Sequence, residues 1–399
     1  MRRAVLAYAG LLAYGSLYPF QWAPRGEPLF GFLLNPGTAY VNRGDMVQNV
    51  LVYMPLGLLL AAWWSDRHRY WTGLLLAVAA GTLFSMAAEV LQEWLPARVS
   101  SAADVAMNAV GTLAGALLAG LLRRDTLSGA RLQGWRDGWF EQGAMANTGL
   151  VVVALWLLAH LSPLIPVVSV AQWRHGLAPL YWQLHGAARI SLPALFCMMC
   201  NFCALGLMLR ALVRPGLRWW RLYGALLAAV LIGQLAIEGR HLSLEEAAGA
   251  VAALPLLACL SRLPLPRAVC CAIGLLALAM TVSQAAPAPG LWGHNPFNWV
   301  PFRGHMRSLQ GFTNILDFLW PFMAMAWLAR QAAPPRRHHA MAVGGGAAVA
   351  LCMFGLEWLQ LHLPGRSADI TQVLLACAGW AVPWLVDEWM LAHQVPGAA

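Results

Sequence analysis

The sequence predicts an all-α fold, a polytopic bundle of membrane-spanning helices. Of its 399 residues, 60% are hydrophobic and only 11% are charged, whereas the surface of a soluble globular protein carries far more charge. Several apolar runs reach about 20 residues, which is the length that a helix needs to cross the hydrocarbon of a bilayer. Alternation typical of strands is absent from these runs. These observations exclude an ordinary soluble domain.

Twelve apolar segments have the length and composition of spans. They cover residues 4–20, 45–64, 71–95, 102–122, 148–170, 188–213, 219–238, 244–262, 268–285, 311–330, 340–362 and 370–391. The first follows Met1-Arg2-Arg3 and has no small-residue cleavage site after it, so we expect an uncleaved span rather than a signal peptide. An even number of spans predicts that both termini lie on the same side of the membrane.

The distribution of arginine predicts which side that is. All basic residues are arginine, and with a cytoplasmic N-terminus 17 of the 26 fall in inner segments. The 17 are Arg2, Arg3, Arg67, Arg69, Arg123, Arg124, Arg131, Arg136, Arg210, Arg214, Arg218, Arg221, Arg262, Arg267, Arg330, Arg336 and Arg337. This excess predicts that both termini are cytoplasmic.

The net charge and the cysteines do not indicate nucleic acid or a metal. The formal charge of +9 is spread between apolar spans and forms no basic face, so we expect no nucleic-acid partner. Cys197, Cys200 and Cys203 have a spacing that resembles a metal site. They lie in an apolar run without a second pair or a neighbouring histidine, which favours buried packing. We therefore expect no metal site and no cofactor.

Internal repeats divide the chain into three units. The segment EVLQEWLPARVSSAAD, which begins at residue 89, matches EWLQLHLPGRSADITQ, which begins at residue 357, without a gap. PFQWAPRG at 19–26 recurs as PFNWVPFRG at 296–304. A more degraded copy, QLAIEGRHLSLEE, begins at residue 234 and keeps the spacing of its glutamine, arginine, serine and acidic residue. The predicted domains are four-helix units at 1–130, 145–264 and 265–399.

The turn between the third and fourth spans collects polar side chains. Pro96 ends the third span, and at 1.5 Å per residue Glu89 and Asn108 lie roughly 10 Å below the turn. Gln92 and Asp104 form a shallower layer, with Arg98 at the mouth. A carboxylate at the depth of Glu89 must be protonated, paired or beside water. This predicts a polar pocket that opens to the outer face.

Each of these residues also has a purely structural interpretation. Asp104 and Glu246 have the spacing of a capping box with Ser101 and Ser243, so they could serve helix starts alone. Arg98, Arg240 and Arg366 could extend to lipid headgroups. A buried amide such as Asn108 often joins two helices. The Pro-Phe-x-Trp segments have the composition of interfacial anchors as well as of ligand contacts.

The pattern of unit one resembles the VanZ-like family of bacterial membrane proteins. The residues that carry the resemblance are Pro19-Phe20, Asn49 to Gly57, Glu89, Gln92, Arg98, Asp104, Asn108 and Gly111. Unit three departs from it at Asp369, Gln372 and Ala376, and unit two has Leu231 in place of the glutamate. The resemblance implies a role in the cell envelope, in glycopeptide resistance or polysaccharide assembly, and a location in the bacterial cytoplasmic membrane. It brings no agreed catalytic residues.

The leading hypothesis is a site for an anionic, lipid-linked envelope precursor such as a polyprenyl phosphate, because a guanidinium at a membrane-embedded cleft suits a phosphate. The candidate ligand-binding residues are Glu89, Gln92, Arg98, Asp104, Asn108, Glu357, Gln360, Arg366 and Asp369. Membrane lipids are the other expected partners. The alternatives are a proton-coupled secondary transporter and a non-catalytic partner of other envelope-assembly proteins. Whether the protein is an enzyme stays open.

Overall fold

The computed structural model describes residues 2–23, 30–34, 43–65, 70–123, 125–288, 296–303, 305 and 309–392. These residues contain helices and no strands, apart from three isolated bridges. The helices are α1 (Arg2–Leu17), α2 (Gly31–Leu34), α3 (Arg43–Ser65), α4 (Tyr70–Gln92), α5 (Ala102–Leu121), α6 (Leu127–Trp139), α7 (Ala144–Leu161), α8 (Val170–Leu184), α9 (Leu192–Leu212), α10 (Trp219–Gly233), α11 (Leu244–Leu260), α12 (Leu265–Ala285), α13 (Leu309–Ala332), α14 (His338–Gln360) and α15 (Ile370–Ala392).

The predicted all-helical membrane fold is confirmed. Eight helical segments among the described residues are long and apolar enough to cross a bilayer: Gly44–Trp64, Tyr70–Gln92, Ala102–Leu121, Ala144–Leu161, Leu192–Leu212, Trp219–Ala236, Leu265–Ala285 and Pro335–Gln360. Each of the twelve predicted spans coincides with one helix, but the count of twelve spans remains a prediction. The fifth predicted span, 148–170, corresponds to α7, whose C-terminal end comes earlier than predicted. It ends at Leu161 because Pro163 has no N–H and disfavours helical geometry at Ser162.

The chain forms two compact units, Met1–Asp137 with Met306–Leu309, and Gly138–His305 with Gln310–Ala399. In the N-terminal unit, α3 and α5 pack with their backbones in contact. A Cβ atom added to Gly57, Gly111 or Gly115 would lie 2.0, 2.3 or 1.8 Å from a carbonyl oxygen of the facing helix. Small residues permit such close approach between membrane helices. Gly111 and Gly115, four residues apart on α5, therefore let the two helices approach closely.

The C-terminal unit is organised around α9, which packs against α7, α10, α11 and α12. Cys200 and Cys203 are fully buried on this helix, and Cys197 is almost so. All three are free thiols. No group of three or more potential metal ligands is found among the described residues. The cysteine run therefore contributes to apolar packing, as predicted from its surroundings.

The orientation of the chain leads to a first prediction. Reporter fusions after Arg136 and after Arg337 should give cytoplasmic signals, and a fusion near Arg98 should give an external one, because arginine is retained on the inner side. Alkaline phosphatase and green fluorescent protein fusions measure this directly. An external signal after Arg136 would contradict the arrangement.

Candidate functional site

Arg98 lies in the turn that joins α4 to α5, and its side chain reaches the end of α1. Its Nε donates to the carbonyl oxygen of Tyr18 at 3.1 Å, and its Nη2 donates to that of Gly15 at 2.6 Å. These carbonyls belong to the last turn of α1 and the residue after it, where helix carbonyls have no partner in the helix. A cation there also suits the negative end of the helix dipole. The guanidinium is half-buried.

The same arrangement occurs twice in the C-terminal unit. Arg240 donates through Nε and Nη2 to the carbonyls of Ser162 and Ala159 at the end of α7. Arg366 donates in the same way to Ala286 and Ser283 at the end of α12. Burial lowers the pKa of the Arg366 guanidinium, but an arginine remains protonated at neutral pH. All three arginines therefore stabilise the end of an earlier helix.

Glu89 has a backbone partner at the start of α5. Its Oε2 accepts from the N–H of Ser101 at 2.9 Å, and its carboxylate is buried, with 5% of the residue exposed. Glu357 accepts from the N–H of Asp369 at 2.8 Å and is fully buried. Both carboxylates thus lie at a helix N-terminus, where a negative charge is stabilised. This geometry gives a structural reason for a glutamate at that depth.

In the middle hairpin, a different residue accepts the hydrogen bond of the equivalent backbone amide. Leu231 replaces the glutamate, and the N–H of Ser243 is within 3.4 Å of Glu246 Oε2. The N–H of Glu246 in turn donates to Ser243 Oγ at 3.2 Å, which completes a capping box at the start of α11. The capping interpretation of Glu246 is therefore confirmed.

Asp104 does not form the corresponding capping box. Ser101 Oγ instead accepts from the N–H of Ala103 at 3.2 Å. Asp104 Oδ1 accepts from Asn49 Nδ2 of α3 at 2.8 Å, and its carboxylate is half-buried. The backbone of α5 therefore does not account for Asp104, which remains a candidate for contact with a ligand.

Asn108 lies one turn further along α5 in a buried position. Its Nδ2 donates to Ser85 Oγ of α4 at 2.9 Å, so the amide joins two helices, as its purely structural interpretation predicts. Its Oδ1 is buried and has no hydrogen-bond partner. A buried acceptor without a partner is costly unless water or a ligand reaches it. We call Asn49, Asp104, Asn108 and Ser85 the polar track.

Sequence reasoning placed Asn49 in the family pattern but omitted it and Ser85 from the site. Ser85 could have been recognised from the sequence, because it lies four residues before Glu89 and therefore on the same face of the helix. Asn49 could not be paired with Asp104 from sequence, since 55 residues separate them. The structure therefore widens the candidate set by these two side chains.

The two glutamines and Asp369 have partners close to their own hairpins. Gln92 Nε2 donates to the Ser16 carbonyl of α1 at 2.8 Å. Gln360 Nε2 donates to Gln284 Oε1 of α12 at 2.8 Å. Asp369 caps α15 through the N–H of Thr371 at 2.7 Å and also accepts from Asn298 Nδ2 at 3.0 Å. The contacts of Gln92 and Gln360 join α1 and α12 to the turns that follow these glutamines. The contact of Asp369 joins the segment that contains Asn298 to the last turn.

The Pro-Phe-x-Trp segments lie against the hairpins. In the N-terminal unit, the N–H of Ala23 donates to the Trp94 carbonyl at 2.8 Å, while Trp22 is exposed. In the C-terminal unit, Asn298 exchanges backbone hydrogen bonds with Ala368 and Ile370. Residues 24–26 and 304 of the two motifs lie outside the described residues. The exposed Trp22 and Trp299 therefore belong to segments that contact the first and third hairpins.

The middle hairpin is covered by α8, a helix that sequence reasoning did not predict. Gln172 Nε2 donates to the Ile237 carbonyl at 2.8 Å. Gln183 accepts from the N–H of Leu244 at 2.7 Å and donates to the Glu245 carboxylate. These contacts occupy the polar groups of the turn that carries Arg240.

The fold and these buried polar contacts define a helical membrane protein. Residues 5–123 match the family model described as VanZ/LLP1. The resemblance of the first unit to that family is thus confirmed, and the match ends just after α5. No curated protein and no solved structure matches the chain.

Proposed function

We propose that this protein handles an anionic, lipid-linked precursor of the bacterial cell envelope, and that it binds the precursor's head group at the outer mouth of the N-terminal unit. The observation that carries the proposal is the fixed position of Arg98. Two carbonyls orient its guanidinium while the side chain stays half-buried at the mouth. A guanidinium held in this way loses little side-chain entropy when it binds a phosphate.

The surroundings of Arg98 suit a head group attached to a lipid. Trp22 and Phe20 are exposed beside the hairpin, and they offer an apolar surface at the level of the headgroups. The polar track supplies Asp104 and the unpartnered Asn108 Oδ1, which can accept hydrogen bonds from hydroxyl or amide groups. Glu89, Gln92 and Arg98 hold this surface in place. We assign no reaction to it.

We further propose that the chain contains three related four-helix units, 1–130, 145–264 and 265–399. The shared arginine contacts support this division, because Arg98, Arg240 and Arg366 bind the same two positions at the end of each unit's first helix. The N-terminal unit carries the motif nearly whole. The middle unit, whose turn lies beneath α8, serves as scaffold. Glu357, Gln360, Arg366 and Asp369 form a secondary site in the third.

The transporter alternative depends on Glu89 and Glu357 as proton sites. Each carboxylate accepts a backbone N–H, which accounts for its presence without proton transfer. Glu89→Gln keeps an acceptor oxygen for Ser101, so it tests the charge alone. We expect Glu89→Gln to fold normally, because its amide oxygen replaces the carboxylate as the acceptor for Ser101. Loss of the phenotype in this folded variant, with a smaller effect of Glu357→Gln, would show that the charge of Glu89 has a role beyond this hydrogen bond. Proton-coupled uptake in proteoliposomes would support transport instead.

The test of head-group binding is the lipid content of purified protein. Wild type, Arg98→Gln and Arg240→Gln are solubilised in mild detergent, and the bound lipids are identified by mass spectrometry. Both substitutions remove the same two helix-end hydrogen bonds, so Arg240→Gln is a matched control for structural damage. We expect a phosphate-bearing isoprenoid lipid with wild type and Arg240→Gln, and at least tenfold less with Arg98→Gln.

Two outcomes would contradict the proposal. If the wild-type protein co-purifies with bulk phospholipid alone, it does not bind the precursor. Equal loss of the isoprenoid lipid from both arginine variants would make Arg98 a structural residue alone.

A further inference from the structure

A cavity of about 350 Å³ lies at the other end of the C-terminal unit from Arg240. Arg240 binds the C-terminal end of α7, whereas the cavity adjoins its N-terminal end, so about 27 Å of helix separates them. The ends of α9 and α13 and the start of α14 complete the walls. The polar lining residues are Glu141, Gln142, Arg330, Gln331 and His338.

Arg330 and His338 line this cavity, and the ring of Trp384 lies close to both. Arg330 Nη1 donates to the Pro383 carbonyl at 2.6 Å, and its guanidinium lies 5.8 Å from the centre of the Trp384 ring. The ring of His338 is also 5.8 Å from that of Trp384. Trp384 is 7% exposed, and its Nε1 is buried without a hydrogen-bond partner. A buried donor without a partner thus lies beside the side chains of Arg330 and His338, which both line the cavity.

The backbone adds to this preference for an anion. α7 begins after Gly143 without a side-chain cap at its start. α14 continues from a 3-10 turn, Pro335–Arg337, and the N–H of His338 donates to the Pro335 carbonyl. Met145 and His338, from the first turns of the two helices, line the cavity. The N-terminus of α7 and the dipole of that helix favour negative charge there. The one acid in the lining is Glu141, and Arg330 lines the same cavity.

An apolar groove begins at the next residue of α13. Gln331 lines the polar cavity, and Ala332 lines a groove of about 440 Å³ with Leu263, Pro266, Arg267, Cys270 and Cys271. A phosphate site next to an apolar groove at the end of membrane helices matches a phospholipid, with its head group in the first and an acyl chain in the second. Basic pockets between helices on the cytoplasmic side are a known setting for anionic lipid head groups.

We propose that this cavity binds the phosphate of an anionic phospholipid at the predicted cytoplasmic surface. Arg330, His338 and backbone amides at the start of α7 contact the phosphate, Gln142 and Gln331 contact its polar substituent, and the groove holds an acyl chain. This site differs from the proposed precursor site in unit and in ligand.

The test is a lipid titration of the full-length protein in detergent, followed by native mass spectrometry. Phosphatidylglycerol should bind, phosphatidylcholine should bind at least tenfold more weakly, and inorganic phosphate should not compete at millimolar concentration. Arg330→Gln should weaken phosphatidylglycerol binding roughly tenfold. The double variant Arg336→Gln/Arg337→Gln removes exposed charge outside the cavity and should bind nearly as wild type.

Ala211→Phe provides a second variant in case Arg330→Gln does not fold, because it fills the cavity and keeps every charge. It should abolish phosphatidylglycerol binding. Equal weakening by the Arg336→Gln/Arg337→Gln double variant would overturn the proposal in favour of general attraction to basic residues. Full competition by inorganic phosphate would overturn the lipid assignment, and unchanged binding by Ala211→Phe would exclude the cavity.

Discussion

Gly115→Val is expected to prevent the N-terminal unit from folding. A Cβ atom at this position would lie 1.8 Å from the Met54 carbonyl oxygen and 2.8 Å from the Leu58 nitrogen. Both are backbone atoms of α3, so the clash cannot be relieved by a side-chain rotation. Overpacking typically costs 1–3 kcal/mol, and a clash between two backbones is expected to cost on the order of 3 kcal/mol or more. Membrane yield and a monodisperse peak in size-exclusion chromatography measure the outcome.

Gly10→Val is the matched control within the same unit. Gly10 lies in α1, and a Cβ atom there would have no atom within 4 Å. We expect this variant to accumulate and elute as wild type does. Normal folding of Gly115→Val would show that α3 and α5 are further apart than described. Equal loss with Gly10→Val would mean that the substitution acts through helix propensity instead.

Glu89→Leu is expected to destabilise the N-terminal unit, and Asp104→Glu is expected to restore it. Glu89→Leu leaves the buried N–H of Ser101 without its partner, which costs about 2 kcal/mol. The middle hairpin already has this combination, since Leu231 occurs with a capping box from Glu246. A glutamate at position 104 can reach back to the Ser101 amide in the same way. The double variant should therefore regain most of the lost thermal stability.

The measurement is the thermal midpoint of each variant in one detergent, with Asp104→Glu alone as the control. Asp104→Glu alone should change the midpoint little, because the Ser101 amide already has Glu89 as its partner. A double variant no more stable than Glu89→Leu would disprove the equivalence of the two carboxylates. Lipid binding should not return with stability, because Asn49 would lose its partner Asp104.

The sequence predicted most of the helical architecture for a simple physical reason. Hydrocarbon thickness fixes the length of an apolar run, so each predicted span coincides with a helix. Gly111 and Gly115 were also predictable as contact positions, because small residues on one helix face permit close approach. Helix α8 was missed because it is short, contains Pro179 and mixes aromatic with polar side chains.

The partners of the polar residues could not be predicted. Arg98 binds carbonyls 80 and 83 residues earlier in the chain, and backbone carbonyls have no sequence signature. The Ser101 spacing predicted a capping box with Asp104, but the competing bond from Glu89 depends on how the turn is packed. The cavity beside Arg330 could not be predicted from the sequence either, because its lining comes from four helices and their adjoining loops.

The most direct test of the central claim is photo-cross-linking from position 22 in living cells. Trp22 is 51% exposed beside the Arg98 hairpin, and a photoreactive phenylalanine there samples what occupies the mouth. Position 83 on α4, where Leu83 is 69% exposed, samples bulk lipid as a control. We predict adducts of a phosphate-bearing isoprenoid lipid from position 22 alone, lost with Arg98→Gln and kept with Arg240→Gln. The same phospholipid adducts from both positions would contradict the account.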